Sequence, residues 1–281
     1  MTTHPRDQIR RSARLLLLAW VGVLSLLVPS VAHAITNGNP TKDDEYTHVG
    51  AFIVEVLPAE GAPYLIQLCT GTLISPQVVL TASHCMVRDD YAPEWGEVFF
   101  TLDKHIGDGK SWRVYDSVSR LEGTPVPDPD YTGKAHYAYD VGAFVLKDAL
   151  AAAPYPQFGT LDRSLRGTTF TTVGYGIERY DKQKSTGAFM PPKERMVATQ
   201  PLTNVTPQYA TFSMNLARGH GGTCYGDSGG PHFNAAGEIV AVTTTGDIPC
   251  KATDQATRTD TEAAQDFITG VLANPDKYAA P

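Results

Sequence analysis

Short runs of apolar and β-branched residues recur along the chain, separated by clusters of Gly, Pro, Asn and Asp. Runs of this length between turn-forming residues are typical of β-strands. They predict strands over residues 49–57, 65–74, 78–81, 98–102, 141–147, 169–173 and 238–245. Many short strands joined by frequent turns indicate an all-β barrel or sandwich.

Helical periodicity is weak until the C-terminus. There Ala264, Phe267, Ile268 and Leu272 recur at the three- and four-residue spacing of one helical face, and Thr261 is a favourable N-cap. The pattern predicts a single helix over residues 261–272. Residues 179–195, rich in Lys, Gly and Pro, predict a surface loop instead.

The first 34 residues have the organisation of a secretory signal peptide. Four arginines precede an apolar run over residues 15–28, and Ala32-His33-Ala34 is a small-x-small cleavage motif. The run is shorter than the roughly 20 residues that cross a bilayer. We therefore expect cleavage after Ala34, a mature chain over residues 35–281 and an extracellular location.

Composition limits the partners of the mature chain. The signal peptide carries four of the 23 basic residues and one of the 30 acidic ones, so the mature net charge is −10. This balance disfavours nucleic acid and anionic membranes as partners. The length suits one large all-β domain or two small ones that share a core.

The chain has four cysteines, Cys69, Cys85, Cys224 and Cys250. An even number in an exported chain favours disulfides over metal ligation, although spacing does not choose among the three possible pairings. No Cys-x-x-Cys or His-Glu-x-x-His motif is present. We therefore expect neither a metal nor another cofactor.

The run Gly226-Asp227-Ser228-Gly229-Gly230-Pro231 has the character of a nucleophile loop. Glycines beside a serine let the backbone approach a substrate closely, so that amide N–H groups can point at a developing oxyanion. A serine hydroxyl is a weak nucleophile at neutral pH and needs an adjacent base. The motif thus predicts acyl transfer only if the chain also supplies that base.

The same Gly-x-Ser-x-Gly pattern occurs in the nucleophile elbow of α/β-hydrolases. In that fold the serine opens a helix and precedes its acid and its histidine. Here Pro231 and the glycines before it oppose a helix, and His232, the only histidine after Ser228, is too close to fold back as a base. The elbow interpretation is therefore disfavoured.

Two residues upstream complete a catalytic set. His84 follows an apolar strand and precedes Cys85, whereas Asp140 stands at the head of the apolar run 141–146. A lone histidine is usually structural and a lone aspartate often a turn residue. Together with Ser228 they follow the order His, Asp, Ser, which among the known triad orders is that of chymotrypsin.

These motifs resemble those of the chymotrypsin/trypsin family of serine endopeptidases. Residues 81–85 are similar to the family's Thr-Ala-Ala-His-Cys, residues 226–231 match its nucleophile motif, and residues 140–146 and 174–176 resemble its Asp-Ile-Ala-Leu and Gly-Trp-Gly. The resemblance covers nearly all of the mature chain. It implies two six-stranded antiparallel Greek-key barrels with the active site between them, over about 35–150 and 151–281, plus the C-terminal helix.

The resemblance also implies a role for each site residue. His84 would act as general base and then general acid, Asp140 would orient it, and Ser228 would attack the substrate. The amides of Gly226 and Ser228 would form the oxyanion hole. Disulfides would join Cys69 to Cys85 and Cys224 to Cys250.

A further implication concerns activation. In the family a newly freed N-terminal Ile pairs its ammonium with the aspartate before the nucleophile, which here would be Ile35 with Asp227. The expected signal-peptidase cut falls at the Ala34–Ile35 bond itself. We therefore hypothesise that export cleavage activates the enzyme directly, without a separate propeptide.

Substrate preference is less determined. Trypsins carry an aspartate six residues before the nucleophile, where this chain has Gly222, so with Thr223 and Gly246 the pocket is expected to be uncharged. That favours aromatic or apolar side chains at P1, the residue on the acyl side of the scissile bond. An acid on the opposite wall would restore cleavage after Lys or Arg.

Alignment without gaps puts Ala256 on that opposite wall, a shift of two residues puts Asp254 there, and Asp247 near the rim is another candidate. Thr244 is expected to replace the serine that hydrogen-bonds the triad aspartate.

The predicted partners are protein or peptide substrates and protein protease inhibitors, bound by a monomer. The rival hypothesis is an inactive homologue that acts as a binding protein, which the intact motifs disfavour.

Overall fold

The computed structural model describes residues 35–87, 92–133, 139–151, 154–177, 194–247 and 250–278. The predicted signal peptide, residues 1–34, and residues 179–193 of the predicted loop lie outside this part of the chain. Within it there are thirteen strands and one C-terminal α-helix, and no helix is long and apolar enough to cross a membrane.

The N-terminal barrel contains six antiparallel strands in the order β5-β2-β3-β4-β7-β6. They are β2 (Val49–Val56), β3 (Tyr64–Leu73), β4 (Val78–Thr81), β5 (Trp95–Thr101), β6 (Gly123–Val126) and β7 (Gly142–Leu146). Phe100 of β5 exchanges two backbone hydrogen bonds with Leu121, just before β6, and so closes the sheet into a barrel. Phe52, Phe100 and Phe144 meet in its core, with ring centroids 5.0 and 5.3 Å apart.

The C-terminal barrel contains six further strands in the order β9-β10-β13-β12-β11-β8, and pairing of β8 with β9 closes it. They are β8 (Thr169–Gly174), β9 (Met196–Val205), β10 (Tyr209–Ser213), β11 (Pro231–Phe233), β12 (Ile239–Gly246) and β13 (Thr253–Arg258). The two-residue strand β1 (Asn39–Pro40) pairs with β9, so the segment that contains β1 joins the second barrel. The expected architecture of two six-stranded antiparallel barrels is confirmed.

The helix spans Glu262–Ala273, one residue from the predicted range at each end, and the Thr261 hydroxyl accepts the Ala264 N–H at 3.2 Å as its N-cap. Its buried face presents Ala264, Ile268 and Val271. These residues belong to a cluster that also contains Val78 and Val145 of the first barrel and Phe233, Ile239 and Val242 of the second. The helix therefore covers the seam between the barrels.

Candidate active site

His84 and Asp140 are brought together by the pairing of β4 with β7. Thr81 lies opposite Gly142 in this pair, so the turn after β4 and the residues before β7 emerge at the same end of the sheet. His84 lies in that turn, the 3₁₀ helix Ser83–Cys85. A Cβ at residue 142 would approach the Ser83 Cα to 2.9 Å, so only glycine permits the close approach of the two segments.

Asp140 holds His84 by two hydrogen bonds. Its Oδ1 accepts the His84 backbone N–H at 2.8 Å, and its Oδ2 lies 2.8 Å from His84 Nδ1. The aspartate side chain is fully buried, whereas that of the histidine is 24% exposed. This arrangement fixes the ring orientation and leaves Nε2 as the nitrogen that can exchange a proton with a substrate.

Ser228 lies in a tightly turned loop between Cys224 and β11. The Asp227 N–H donates to the Cys224 carbonyl at 3.0 Å, and the Gly230 N–H donates to the Asp227 carbonyl at 2.8 Å. Gly226 and Gly229 have φ values of 95° and 78°, a region that L side chains rarely adopt. The glycines of the nucleophile motif are therefore required by the backbone conformation.

His84, Gly226 and Ser228 line one cleft of about 660 Å³. Apolar and aromatic side chains provide much of its remaining wall, namely Ile66, Leu68, Trp112, Ile177 and Tyr225. Trp112 and Tyr225 are about half exposed. Apolar and aromatic surface therefore lies beside the candidate nucleophile.

Two residues of the predicted specificity pocket, Gly222 and Gly246, lie against the apolar side chain of Met214. A Cβ at Gly222 would overlap Cγ and Sδ of Met214, and one at Gly246 would lie 3.7 Å from Met214 Cε. Met214 also packs with Ile177, Cys224 and Cys250. Its thioether thus occupies the space into which a residue-222 side chain would extend, and no sequence motif revealed this. Thr223 is buried beside Gly222.

The register between β12 and β13 decides the opposite wall. Gly246 pairs with Asp254 and Thr243 pairs with Ala256, because a bulge between Thr243 and Thr245 shifts the register. Ala256 lies in the barrel core and not at the pocket, so the gap-free alignment was wrong at this position. The segment between β13 and the helix therefore differs in length by two residues from the one that the gap-free alignment assumed.

The carboxylate of Asp254 is nevertheless already bound by two buried side chains of the C-terminal barrel. Its buried Oδ2 accepts Gln200 Nε2–H at 2.8 Å and lies 2.9 Å from His232 Nε2. Asp247 is also engaged, since its carboxylate accepts the N–H groups of Lys251, Ala252 and Thr253. Both acids are therefore held by other parts of the protein.

Ile35 is fully buried in contact with Met196 and Ala198. The next residue, Thr36, exchanges two backbone hydrogen bonds of 2.9 Å with Gly222. These hydrogen bonds fix the start of the predicted mature chain against Gly222, a residue of the predicted specificity pocket. The nucleophile loop that contains Asp227 begins only two residues after Gly222.

The Asp227 carboxylate is fully buried and accepts two backbone N–H groups, from Gly176 at 2.7 Å and Cys224 at 2.9 Å. Its pKa is raised from 3.8 to about 7, chiefly by burial and to a lesser extent by the charge of Asp254, while the two amides oppose the shift. A carboxylate so placed gains from a cation beside it. The resemblance to the chymotrypsin/trypsin family implies that the Ile35 ammonium is this cation.

Thr244 does not have its expected contact. Its hydroxyl lies 2.7 Å from that of Thr257 and also accepts the Thr257 N–H, so it ties β12 to β13.

Both predicted disulfides are present, Cys69–Cys85 beneath the histidine turn and Cys224–Cys250 at the specificity pocket. Among the described residues, the one group of possible metal ligands is Cys69, His84 and Cys85, and the disulfide already uses both sulfurs.

Comparison with known proteins agrees with this geometry. The family model of trypsin matches residues 35–268, and the chain therefore belongs to the trypsin family. A mutant of human heparin binding protein has a similar structure, with a TM-score of 0.64 and 20% sequence identity over 88% of this chain and 100% of that one. At this identity the likeness shows the fold alone.

Proposed function

We propose that this protein is a secreted serine endopeptidase. The observation that carries the proposal is the buried Asp140 holding His84 by two hydrogen bonds in the cleft that Ser228 also lines. His84 Nε2 takes the proton of Ser228 Oγ as the oxygen attacks the scissile carbonyl, then delivers it to the leaving amine. Water, deprotonated by the same nitrogen, hydrolyses the acyl-enzyme.

The carbonyl oxygen becomes negatively charged during attack, and the amides of Gly226 and Ser228 would stabilise it. One such donor is worth about 3 kcal/mol of transition-state stabilisation. Cleavage at Ala34–Ile35 would free the ammonium that pairs with Asp227, and this pair would hold the nucleophile loop in its active form. The buried position of Ile35 and the Thr36–Gly222 hydrogen bonds support this part of the proposal.

We assign the enzyme to cleavage after apolar or aromatic P1 residues. Gly222 supplies no charge, the apolar side chain of Met214 lies against it, and His232 and Gln200 hold the carboxylate of Asp254. Cleavage after Lys or Arg would require Asp254 to leave these partners. The substrates would be extracellular proteins or peptides, with protease inhibitors as further partners of a monomeric enzyme.

A fluorophosphonate probe tests the reaction class, because it labels only an activated serine. The secreted protein should be labelled, Ser228→Ala should not, and the exposed Ser111→Ala should react like the wild type. An unlabelled wild type that has a processed Ile35 terminus would instead favour an inactive homologue with a binding role.

A peptide library with varied P1 residues tests the specificity. We expect Phe, Tyr, Leu and Met to exceed Lys and Arg. Gly222→Asp alone should reduce activity without creating a preference for basic residues, because its side chain would overlap Met214. The double variant Gly222→Asp/Met214→Ala should cleave after Lys and Arg, and failure to do so would contradict the assigned pocket.

A further inference from the structure

Two side chains of the N-terminal barrel hold the carbonyl group of Gly226, which belongs to the C-terminal barrel. Thr70 Oγ1 donates to this oxygen at 2.9 Å, and Gln67 Nε2 donates to it at 2.6 Å. Both residues lie on β3. The catalytic roles described above use neither of them.

Thr70 also holds the other side of the nucleophile. Its backbone N–H donates to the Ser228 carbonyl at 2.8 Å. The peptide units on both sides of the Asp227–Ser228 peptide are therefore bonded to one residue. That central peptide carries the Ser228 N–H, one of the two donors of the oxyanion hole.

Thr70 is itself fixed in place. It is fully buried, and its hydroxyl accepts the Tyr175 N–H at 3.3 Å while it donates to Gly226. Its carbonyl accepts the Thr81 hydroxyl at 2.9 Å. Because the hydroxyl donates one hydrogen bond and accepts another, the direction of its O–H bond is determined.

Gln67 restricts the space around the backbone of Gly226. Its Oε1 occupies the place where a Cβ at residue 226 would lie, and Gly176 Cα would be 3.0 Å from the same Cβ. Its Nε2 bonds the Cys69 carbonyl at 3.0 Å as well as that of Gly226. The Gly226 backbone is thus confined between β3 and the segment after β8.

We propose that Thr70, supported by Gln67, is a positioning residue for the oxyanion hole. Thr70 does not line the cleft, so it acts through the backbone of residues 226–228 and not by contact with substrate. The fixed backbone keeps both amide donors aimed at the developing oxyanion, where preorganised dipoles act most strongly. The inference rests on the proposed function and identifies what orients its oxyanion hole.

The test compares Thr70→Val, which removes the hydroxyl and keeps the shape, with Thr70→Ser, which restores it. Thr101→Val is the matched control, because Thr101 is a buried threonine of the same barrel whose hydroxyl contacts Ser119 instead. We expect Thr70→Val to lower kcat about tenfold with little change in KM, a smaller loss than deletion of an oxyanion donor. Thr70→Ser should recover most of the rate.

A peptide aldehyde gives a second readout, because its tetrahedral adduct places an oxyanion in the hole. Its inhibition constant should weaken about tenfold in Thr70→Val, while that of a non-covalent product peptide stays unchanged. An unchanged kcat, or an equal loss in Thr101→Val, would overturn the proposal.

A measurement independent of activity separates this inference from the proposed function. In the Ser228→Ala protein, amide hydrogen exchange at residues 226 and 228 should be faster in Thr70→Val than in Thr101→Val. Equal exchange would overturn the positioning role even if the enzyme is active. Faster exchange, combined with a processed wild type that the fluorophosphonate probe does not label, would refute the proposed function alone.

Discussion

Asp227 is a buried acid whose surroundings favour its neutral form in the uncleaved chain. Two amide N–H groups approach its oxygens, but burial dominates and raises its pKa to about 7. Cleavage at Ala34–Ile35 would create a new ammonium on Ile35. The next residue, Thr36, is hydrogen-bonded to Gly222, five residues before Asp227. The protonation of one residue should therefore differ before and after cleavage.

We predict that a Ser228→Ala chain retaining Ala34 loses stability as the pH rises from about 4 to about 7. In this window Asp227 binds a proton when folded but not when unfolded, so the slope is up to about 1.4 kcal/mol per pH unit. His48 has the opposite effect, since burial lowers its pKa to about 4. Urea unfolding with and without Asp227→Asn isolates the Asp227 contribution.

The chain that begins at Ile35 provides the contrast. Its ammonium should stabilise the ionised carboxylate, so Asp227→Asn should no longer flatten the pH profile and should instead destabilise the protein at pH 7. An identical response of the two chains to this substitution would show that Ile35 and Asp227 do not pair.

Residues whose chemistry depends on short motifs could be predicted from sequence. The order of His84, Asp140 and Ser228 and the resemblance of their motifs identified the segments that the structure brings together. The pocket wall could not be predicted, because the pairing of Gly246 with Asp254 depends on the register of β12 and β13, which no sequence motif records. Met214 and Thr70 were missed because neither belongs to a motif, and the contacts of each depend on the tertiary fold.

At the scale of elements, all seven predicted strands form, with ends within three residues of the predicted ones. The strands that were not predicted include β9, β11 and β13, which share polar residues at buried positions. Gln200, His232 and Asp254 lie on these three strands and bond one another inside the C-terminal barrel. Strand prediction depends on alternating apolar residues, so this polar layer concealed the strands.

We predict that His232→Phe in the Ser228→Ala background destabilises the protein by about 3 kcal/mol. The new ring can keep the stacking on Phe212, whose centroid is 4.3 Å from the imidazole. The buried Asp254 carboxylate would, however, lose a partner, and an uncompensated buried acid is costly. Urea unfolding measures the change.

The triple variant Gln200→Leu/His232→Phe/Asp254→Leu is the matching control. Replacing a complete buried polar group by apolar residues is often nearly neutral, so the triple variant should recover most of the lost stability. Additive losses from the three single substitutions would show that the three residues contribute nothing as a unit.

At the scale of the whole molecule, the proposed activity requires that the two barrels keep a fixed relation, because His84 and Asp140 come from one and Ser228 from the other. Thr70 joins them at the nucleophile loop. Arg195, immediately before β9, joins them elsewhere through its Nη1, which donates to the Val49 carbonyl at 3.0 Å and to the Tyr175 hydroxyl at 3.3 Å. Tyr175 in turn donates to the Asp103 carbonyl at 2.9 Å.

Arg195 is fully enclosed, so its loss should reach the active site through the barrel interface. We predict that Arg195→Met lowers the free energy of unfolding by about 2–4 kcal/mol, because carbonyl groups that it serves become buried without a donor. Arg166→Met is the control, since the exposed Arg166 bonds Thr203 within one barrel and should change stability by less than about 0.5 kcal/mol.

Urea unfolding followed by tryptophan fluorescence and by fluorophosphonate labelling should report one shared transition in the control. In Arg195→Met, labelling should be lost at lower urea than the fluorescence change, because the barrels separate before either unfolds; coincident transitions would place the role of Arg195 within one barrel.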